Sequence, residues 1–380
     1  MRKYFQAVFV LIGTIIGVGM FSMPYIISKA GLLFLLIYLP VLGCVEYFTL
    51  KLYAEIILST KENHRLPGYA TKYLGKKSKW FTSIVTTLGN YGAILAYIIV
   101  GGIFSHALFG PIWGGSLLLH TTGMFLVESL IVLLGLKYIS KAETYLTTLL
   151  LIVTGVIVWK AKNYINLSNY TQADWSLAAL PYGPILFAVG GGTAVPMVCQ
   201  ILKNDKKKIK SALGLGLAIS LFVMFVFVIT VVGVTGANTS VDTLAGLNLV
   251  LGDEMVKVAL LFGILAIATS FFTSCECQRE VYSWDFKMNN TFAWALACGV
   301  PYILYILGVQ NLTTVVSLTG AVTGGLLGIL LILIALKVKK KADLKSIIQN
   351  KINIPIAILI SSMFILGVIY ELVVLAKDGF

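Results

Sequence analysis

Eleven apolar runs of roughly 20 residues follow one another along the chain, near 5–27, 31–57, 80–109, 117–136, 141–160, 179–201, 210–234, 256–284, 290–308, 313–337 and 353–376. At about 1.5 Å of rise per residue, such a run carries a helix across the hydrocarbon of a bilayer. Backbone groups there find no water, so each run must pair its own N–H and C=O groups as a helix. The chain is 58% hydrophobic and only 12% charged, with a mean hydropathy of +0.92. That leaves too little polar surface to clothe a water-soluble globule, and the reading is an all-α membrane protein of eleven transmembrane helices. Arg2 and Lys3 precede the first run as in a signal peptide, but no A-x-A-like cleavage site follows, so the run is read as a retained span.

The net charge of +13 raises the question of nucleic acid, and the placement of the charge answers it. With the N-terminus in the cytoplasm, 23 of the 29 Lys and Arg fall in cytoplasmic segments, including KNDKKKIK and KVKKKADLK. This positive-inside bias predicts a multi-pass protein of the cell membrane with a cytoplasmic N-terminus and an extracellular C-terminus. The basic runs then meet lipid headgroups, not nucleic acid. Cys44, Cys199, Cys275, Cys277 and Cys298 sit in or beside apolar runs and read as small apolar side chains, without a disulfide framework. Neither Cys275-x-Cys277 nor the histidines His64, His106 and His120 have metal-site spacing. No cofactor is expected.

Two of the runs are interrupted. GTIIGVG, residues 13–19, places Gly13, Thr14, Gly17 and Gly19 in the first span ahead of Pro24, and FAVGGGTAVP, residues 187–196, places Gly190, Gly191 and Gly192 in the sixth ahead of Pro196. The sixth comes five spans after the first, and five is odd. If spans one to five and six to ten are repeats, the second enters the membrane inverted and both begin with a broken helix. The predicted units are 1–162, 163–345 and, for one additional helix, 346–380. Glycine lets the backbone leave the helix, exposing carbonyls on one half and N–H groups on the next, and such groups must face a cavity. A cavity walled by N–H ends for a carboxylate and carbonyls for a cation suits an amino acid zwitterion. The N–H groups of Gly17, Val18 and Gly19 are the candidates for the carboxylate. Carbonyls near Thr14 and from Phe187 through Val189 to Gly190 are those for the ammonium. The plainer reading of Gly13-x-x-x-Gly17 is close helix packing.

GTIIGVGMFSMP, FAVGGGTAVPMV followed by KKKIKSA, and AIATSFFTS at residues 266–274 resemble the amino acid/auxin permease family of the amino acid-polyamine-organocation superfamily. Within it they look like the bacterial hydroxy and aromatic amino acid permeases. The resemblance implies the leucine-transporter-type inverted five-helix repeat and ion-coupled amino acid uptake. Val189, Gly190 and Gly191 depart from it where permeases of aromatic amino acids carry an aromatic residue and a histidine. In sodium-using proteins of this fold a Thr-Ser pair and nearby carbonyls hold the ion. The matching positions here are Thr269, Ser270 and Ala266 in span eight with Gly13 and Ile16 at the first break. Hydroxyls in membrane helices also bond simply to the preceding turn. The side-chain pocket is expected between spans three, six, eight and ten, with Asn90 and Tyr91 of LGNYGAILAY as its polar and flat members.

Proton coupling would need an ionisable group in the membrane interior, and Glu46 and Glu128 are the two candidates. No nucleophile–base constellation or phosphate loop accompanies the spans, so no enzyme is expected. The reading is a secondary active transporter importing a hydrophobic or aromatic amino acid by Na⁺ or H⁺ symport through alternating access. The alternative is an amino acid-sensing receptor subunit of the spore-germinant type with the same fold.

Overall fold

The computed structural model describes residues 2–134, 139–170, 173–203, 205–241, 243, 252–341 and 353–378, with no strand among them. The helices are α1 (Arg2–Ile15), α2 (Val18–Ala30), α3 (Leu32–Leu58), α4 (Leu66–Leu74), α5 (Lys76–Trp113), α6 (Leu117–Leu134), α7 (Ile139–Ala161), α8 (Tyr182–Ala188) and α9 (Val195–Ile201). They continue with α10 (Lys206–Thr235), α11 (Asp253–Glu280), α12 (Asn290–Ile306), α13 (Leu312–Leu318), α14 (Gly325–Lys341) and α15 (Ile354–Asp378). Two π-helical turns extend this pattern, Val281–Asp285 after α11 and Thr319–Gly324 joining α13 to α14. Among the described residues nine helical segments are long and apolar enough to cross a membrane, and α1 with α2, bent by 47°, makes up to ten. The run at 290–308 forms α12, apolar but only 17 residues long. The basic positions 342–351 and the unit boundary at 345/346 lie outside the described residues.

Apolar side chains point outward as well as inward. Leu126, Val127, Leu130 and Leu134 on α6 and Ile358, Leu359, Leu366 and Ile369 on α15 are all exposed, an arrangement that lipid favours and water does not. The loops holding Arg65 and Asp285 meet at one end, the basic end, where Lys79 Nζ donates to the Asp285 carbonyl at 2.6 Å. At the opposite end the Asp174 N–H donates to the Ala30 carbonyl at 2.9 Å. Side chains terminate several helices: Asp205 accepts from the Lys208 N–H to cap α10, and Asn311 from Thr314 to cap α13. Gly31, at φ +108°, makes the turn from α2 into α3.

The two broken spans meet at the centre. A Cβ added to Gly19 would sit 2.5 Å from the Ala188 Cα, so the start of α2 lies directly on the end of α8. The π-turn closes on α8 just as tightly, since a Cβ on Gly320 would fall 2.7 Å from the Phe187 nitrogen. On the far side of α8, Gly367 of α15 lies against the Tyr182 ring, and Gly328 of α14 lies under Phe364. α15 therefore buttresses both the second broken span and the helix after the π-turn.

Because backbone, not a flexible side chain, opposes a Cβ at Gly19, Gly19→Ala is expected to lower stability by about 1–3 kcal/mol. Gly192→Ala, where nothing lies within 4 Å of an added Cβ, is the control. Thermal unfolding of the detergent-purified variants checks this, and equal midpoints for both variants would contradict the close approach.

Candidate functional site

At the first break α1 ends at Ile15 and α2 begins at Val18. The Ile16 N–H still donates to the Ile12 carbonyl at 2.7 Å, and the Gly17 N–H turns back to the Ile15 carbonyl at 3.0 Å. Val18 and Gly19, first in a new helix, have no preceding turn to bond to, and both line the central cavity. The free N–H end is thus Val18 and Gly19, whereas the N–H of Gly17, expected beside them, is already used. Displacing that bond also frees the Gly13 and Thr14 carbonyls from their usual i+4 partners. The Thr14 hydroxyl bonds back to Val10 at 2.8 Å.

At the second break α8 ends with Val189 and Gly190 donating to the carbonyls of Ile185 and Phe187 at 3.0 and 3.1 Å. The next N–H, that of Gly191, donates to Glu46 Oε1 at 2.9 Å. Glu46 Oε2 accepts the Thr49 hydroxyl at 2.9 Å. A buried carboxylate from α3 therefore sits on the N–H side of this break, the place a helix N-terminus offers an anion.

Between the breaks lies a cavity of about 220 Å³. Thr14, Gly17, Glu46, Phe187 and Gly190 line its centre, and Thr86, Gly89, Asn90, Ala93 and Tyr97 of α5 form one wall at helical spacing. Thr319, Gly320, Thr323 and Gly324 of the π-turn line it beside that wall, the two threonines packed against Gly92 and Gly89. Towards the basic end the lining continues to Tyr53, Arg65 and Val281. On the other side Phe21, one turn into α2, packs edge-on against Phe104 and Phe227 with ring centroids 5.2 and 6.0 Å away, all three buried.

Several expected site residues fall together here and several do not. Val189 and Gly191 flank the cavity without lining it. Asn90 lines it and also donates to Gln278 Oε1 at 2.8 Å, tying α5 to α11. Tyr91 points elsewhere: its hydroxyl pairs with Tyr282 at 2.7 Å and donates to the Leu296 carbonyl at 3.0 Å. Thr269 and Ser270 are buried and donate to the Ala266 carbonyl at 2.8 and 3.1 Å. Ser270 adjoins the first break, its Oγ 3.2 Å from where a Gly17 Cβ would lie. Gly13 and Ile16 are buried in that break. Glu128 is buried away from the cavity, and its Oε1 has no hydrogen-bond partner. No group of three or more His, Cys, Asp or Glu able to hold a metal occurs among the described residues.

Three features escaped the sequence reading. One is the π-turn wall. Another is Glu371 of α15, buried and bonded to Ser317. The third is a polar latch at the basic end. Arg65 donates to Glu280 through Nε at 2.7 Å and through Nη2. Asp285 Oδ2 accepts the Gly68 N–H of α4 at 3.1 Å, and its Oδ1 faces His64 Nδ1 at 3.6 Å. Glu62 stands on the other side of His64 at 3.3 Å. None of these pairs shares a periodic pattern that would announce it.

A helical membrane bundle with two broken spans around a central cavity defines a class. A solved structure of MhsT in complex with L-phenylalanine superposes with a TM-score of 0.73 at 15% identity, covering 96% of this chain and 98% of that one. The fold is that shared leucine-transporter type. The model of the tryptophan/tyrosine permease family matches residues 1–370, and the chain belongs to that family. The amino acid/auxin label read from the motifs is not itself matched, though the superfamily is consistent with it. The tyrosine-specific transport system 1 of Haemophilus influenzae is 25% identical over 330 residues, 81% of each chain. Glutamine transporter 2 of Aliivibrio fischeri is 23% identical over 282 residues, 71% of this chain and 72% of that one. The protein is accordingly a multi-pass membrane transporter of amino acids, not an enzyme.

The Asp285 carboxylate beside it raises the pKa of His64 above its ordinary 6.5; burial opposes this and Glu62 adds to it. A raised value means that the contribution of His64 to the latch is complete below pH 6.5 and lost as pH climbs through the shifted value. An NMR titration should find His64 titrating above 6.5 in the wild type and lower in Asp285→Asn; a titration unmoved by that substitution would show that Asp285 is not the cause.

Proposed function

We propose that the protein imports a hydrophobic or aromatic amino acid by symport with Na⁺ or H⁺, through alternating access about the two breaks. The observation that carries this reading is the contact of Gly19 with Ala188, which brings two sets of freed backbone groups onto one cavity. The substrate carboxylate sits on the N–H groups of Val18 and Gly19. Its ammonium faces the carbonyls of Thr14 and of the segment ending α8. Glu46 already occupies Gly191, so the second break offers the substrate carbonyls and leaves the first as the carboxylate end. At about 220 Å³ the cavity is below the roughly 300–1,000 Å³ of drug-sized sites, a scale suited to an amino acid. Phe187, Leu186, Ala93 and Tyr97 give it apolar walls. The tyrosine-specific relative and the L-phenylalanine complex support an aromatic substrate.

In this reading eleven spans cross the cell membrane as two inverted five-helix units, 1–162 and 163–345, with the eleventh helix in 346–380. The basic end is cytoplasmic and the C-terminus extracellular, by the positive-inside rule. The cavity is then closed outward by Phe21, Phe104 and Phe227. For Na⁺ coupling, the ion site is the set Gly13, Ile16, Ala266, Thr269 and Ser270. Its two hydroxyls donate to Ala266 and keep oxygen lone pairs for a hard cation. For H⁺ coupling, Glu46 is the carrier favoured by its place in the cavity, and Glu128 is the other intramembrane acid.

Uptake by the single purified chain in proteoliposomes tests the function. Accumulation is expected in the wild type, and Gly17→Leu or Gly191→Leu should abolish it in a folded protein. Ligand binding without accumulation under either ion gradient would instead favour a sensor.

The coupling ion is separated in the same assay. With sodium, Thr269→Val should raise the concentration for half-maximal uptake severalfold, while Glu46→Gln and Glu128→Gln keep the sodium dependence. With protons, uptake should run on an inward pH gradient alone, and at least one of the Gln variants should exchange substrate without accumulating it. Normal accumulation by both Gln variants under a pH gradient alone would reject the proton reading, and an unchanged sodium dependence in Thr269→Val would reject the sodium site.

A further inference from the structure

The π-turn Thr319–Gly324 gives the cavity a wall of unusual chemistry. A wider turn re-aims side chains, and here it presents two threonines and two glycines to the cavity. The Thr319 hydroxyl lies 2.6 Å from the Val315 carbonyl, and the Thr323 hydroxyl 2.6 Å from the Thr319 carbonyl. A carbonyl oxygen only accepts, so both hydroxyl hydrogens are committed to the backbone. What remains on each Oγ is lone pairs. The wall is therefore an acceptor, and it recognises donors.

The position along α5 decides which donor of the substrate it meets. Tyr97 adjoins the first break, its Cε1 3.6 Å from where a Gly17 Cβ would lie. Thr319 stands against Gly92, and the Thr323 Oγ lies 2.9 Å from where a Gly89 Cβ would be. From Tyr97, Ala93 beside Gly92 is one turn back towards the basic end and Gly89 is two, about 6 and about 12 Å at 1.5 Å per residue. An ammonium is two bonds from its carboxylate carbon and stays at the breaks. A heteroatom at the end of an aromatic ring reaches one to two turns further.

The geometry points to Thr319 and Thr323 as the residues that select the substrate's side chain, by accepting a hydrogen bond from a donor at the far end of an aromatic ring, a phenol O–H. This deepens the proposed transport function and rests on it. Gly89 and Gly92 are the counterpart on α5, leaving the room in which the two hydroxyls sit. The apolar body of the ring lies along Ala93 and Phe187. A ring without a donor fits the same space but leaves the two oxygens unused, so discrimination is of the size of one net hydrogen bond, about tenfold in affinity.

Binding of L-tyrosine, L-tryptophan, L-phenylalanine and 4-fluoro-L-phenylalanine to the purified protein tests this. The wild type should bind tyrosine about tenfold more tightly than phenylalanine or its 4-fluoro analogue. Thr319→Val or Thr323→Val should remove that preference while phenylalanine affinity stays within about twofold, which also reports that the variant is folded. The matching Ser variant should restore the preference. Equal wild-type affinity for tyrosine and both donor-free rings would overturn the assignment without needing any variant. So would a preference retained by the Val double variant, or an equal loss for tyrosine and phenylalanine in variants that remain folded. If the wild type binds no amino acid at all, the proposed function fails first and takes the assignment with it.

Discussion

Backbone amides in a bilayer cannot turn to water, and this constraint shapes each unusual feature of the centre of the molecule. Two spans abandon the helix where Gly17 and Gly191 allow it, and the groups set free are then dealt with one by one. Gly17 borrows the Ile15 carbonyl, Gly190 that of Phe187, and Gly191 the carboxylate of Glu46. Val18 and Gly19 are left facing the cavity. The site is defined by the groups left over, these two N–H groups and the Gly13 and Thr14 carbonyls of the first break.

Beyond the two ends of the cavity lie contacts of different physics. At the end away from the basic loops, Phe21, Phe104 and Phe227 meet as apolar rings, a seal with little directional demand. At the basic end Arg65 and Glu280, with His64, Gly68 and Asp285, form directional charge-assisted bonds that lose strength as soon as their geometry changes. Residues 62–68 and the end of α11 are joined there, so movement of α4 relative to α11 must break this set together. A seal that tolerates sliding faces a latch that does not.

What was legible in the sequence followed from composition. Glycines inside apolar runs are conspicuous, so both breaks were visible, and an acid in such a run is costly enough to single out Glu46. Its partner, the Gly191 N–H, was not legible, because that bond joins residues 145 positions apart. Tyr91 was expected at the pocket from its neighbours Gly89 and Gly92. On α5 it faces Tyr282 instead, one position round the helix from Asn90, and an angle of about 100° per residue suffices to move it from one interface to another. TGAVTG at 319–324 reads as an ordinary stretch of span, since one extra residue in a turn leaves no mark on hydropathy. Glu371 was passed over in an outer turn of the last helix, although it is buried against Ser317.

The last described helix, α15, does more than add a span. Its Gly367 receives the Tyr182 ring of α8, and its Phe364 covers Gly328 of α14, so the broken sixth span leans on a segment made almost 200 residues later in the chain. Synthesis runs from the N-terminus, and for most of it α8 has no such support while its neighbours are already in the membrane. The central cavity thus waits for a helix made long after both of its breaks, and the 25 residues of that helix reach its lining, among the described residues, only through Phe364.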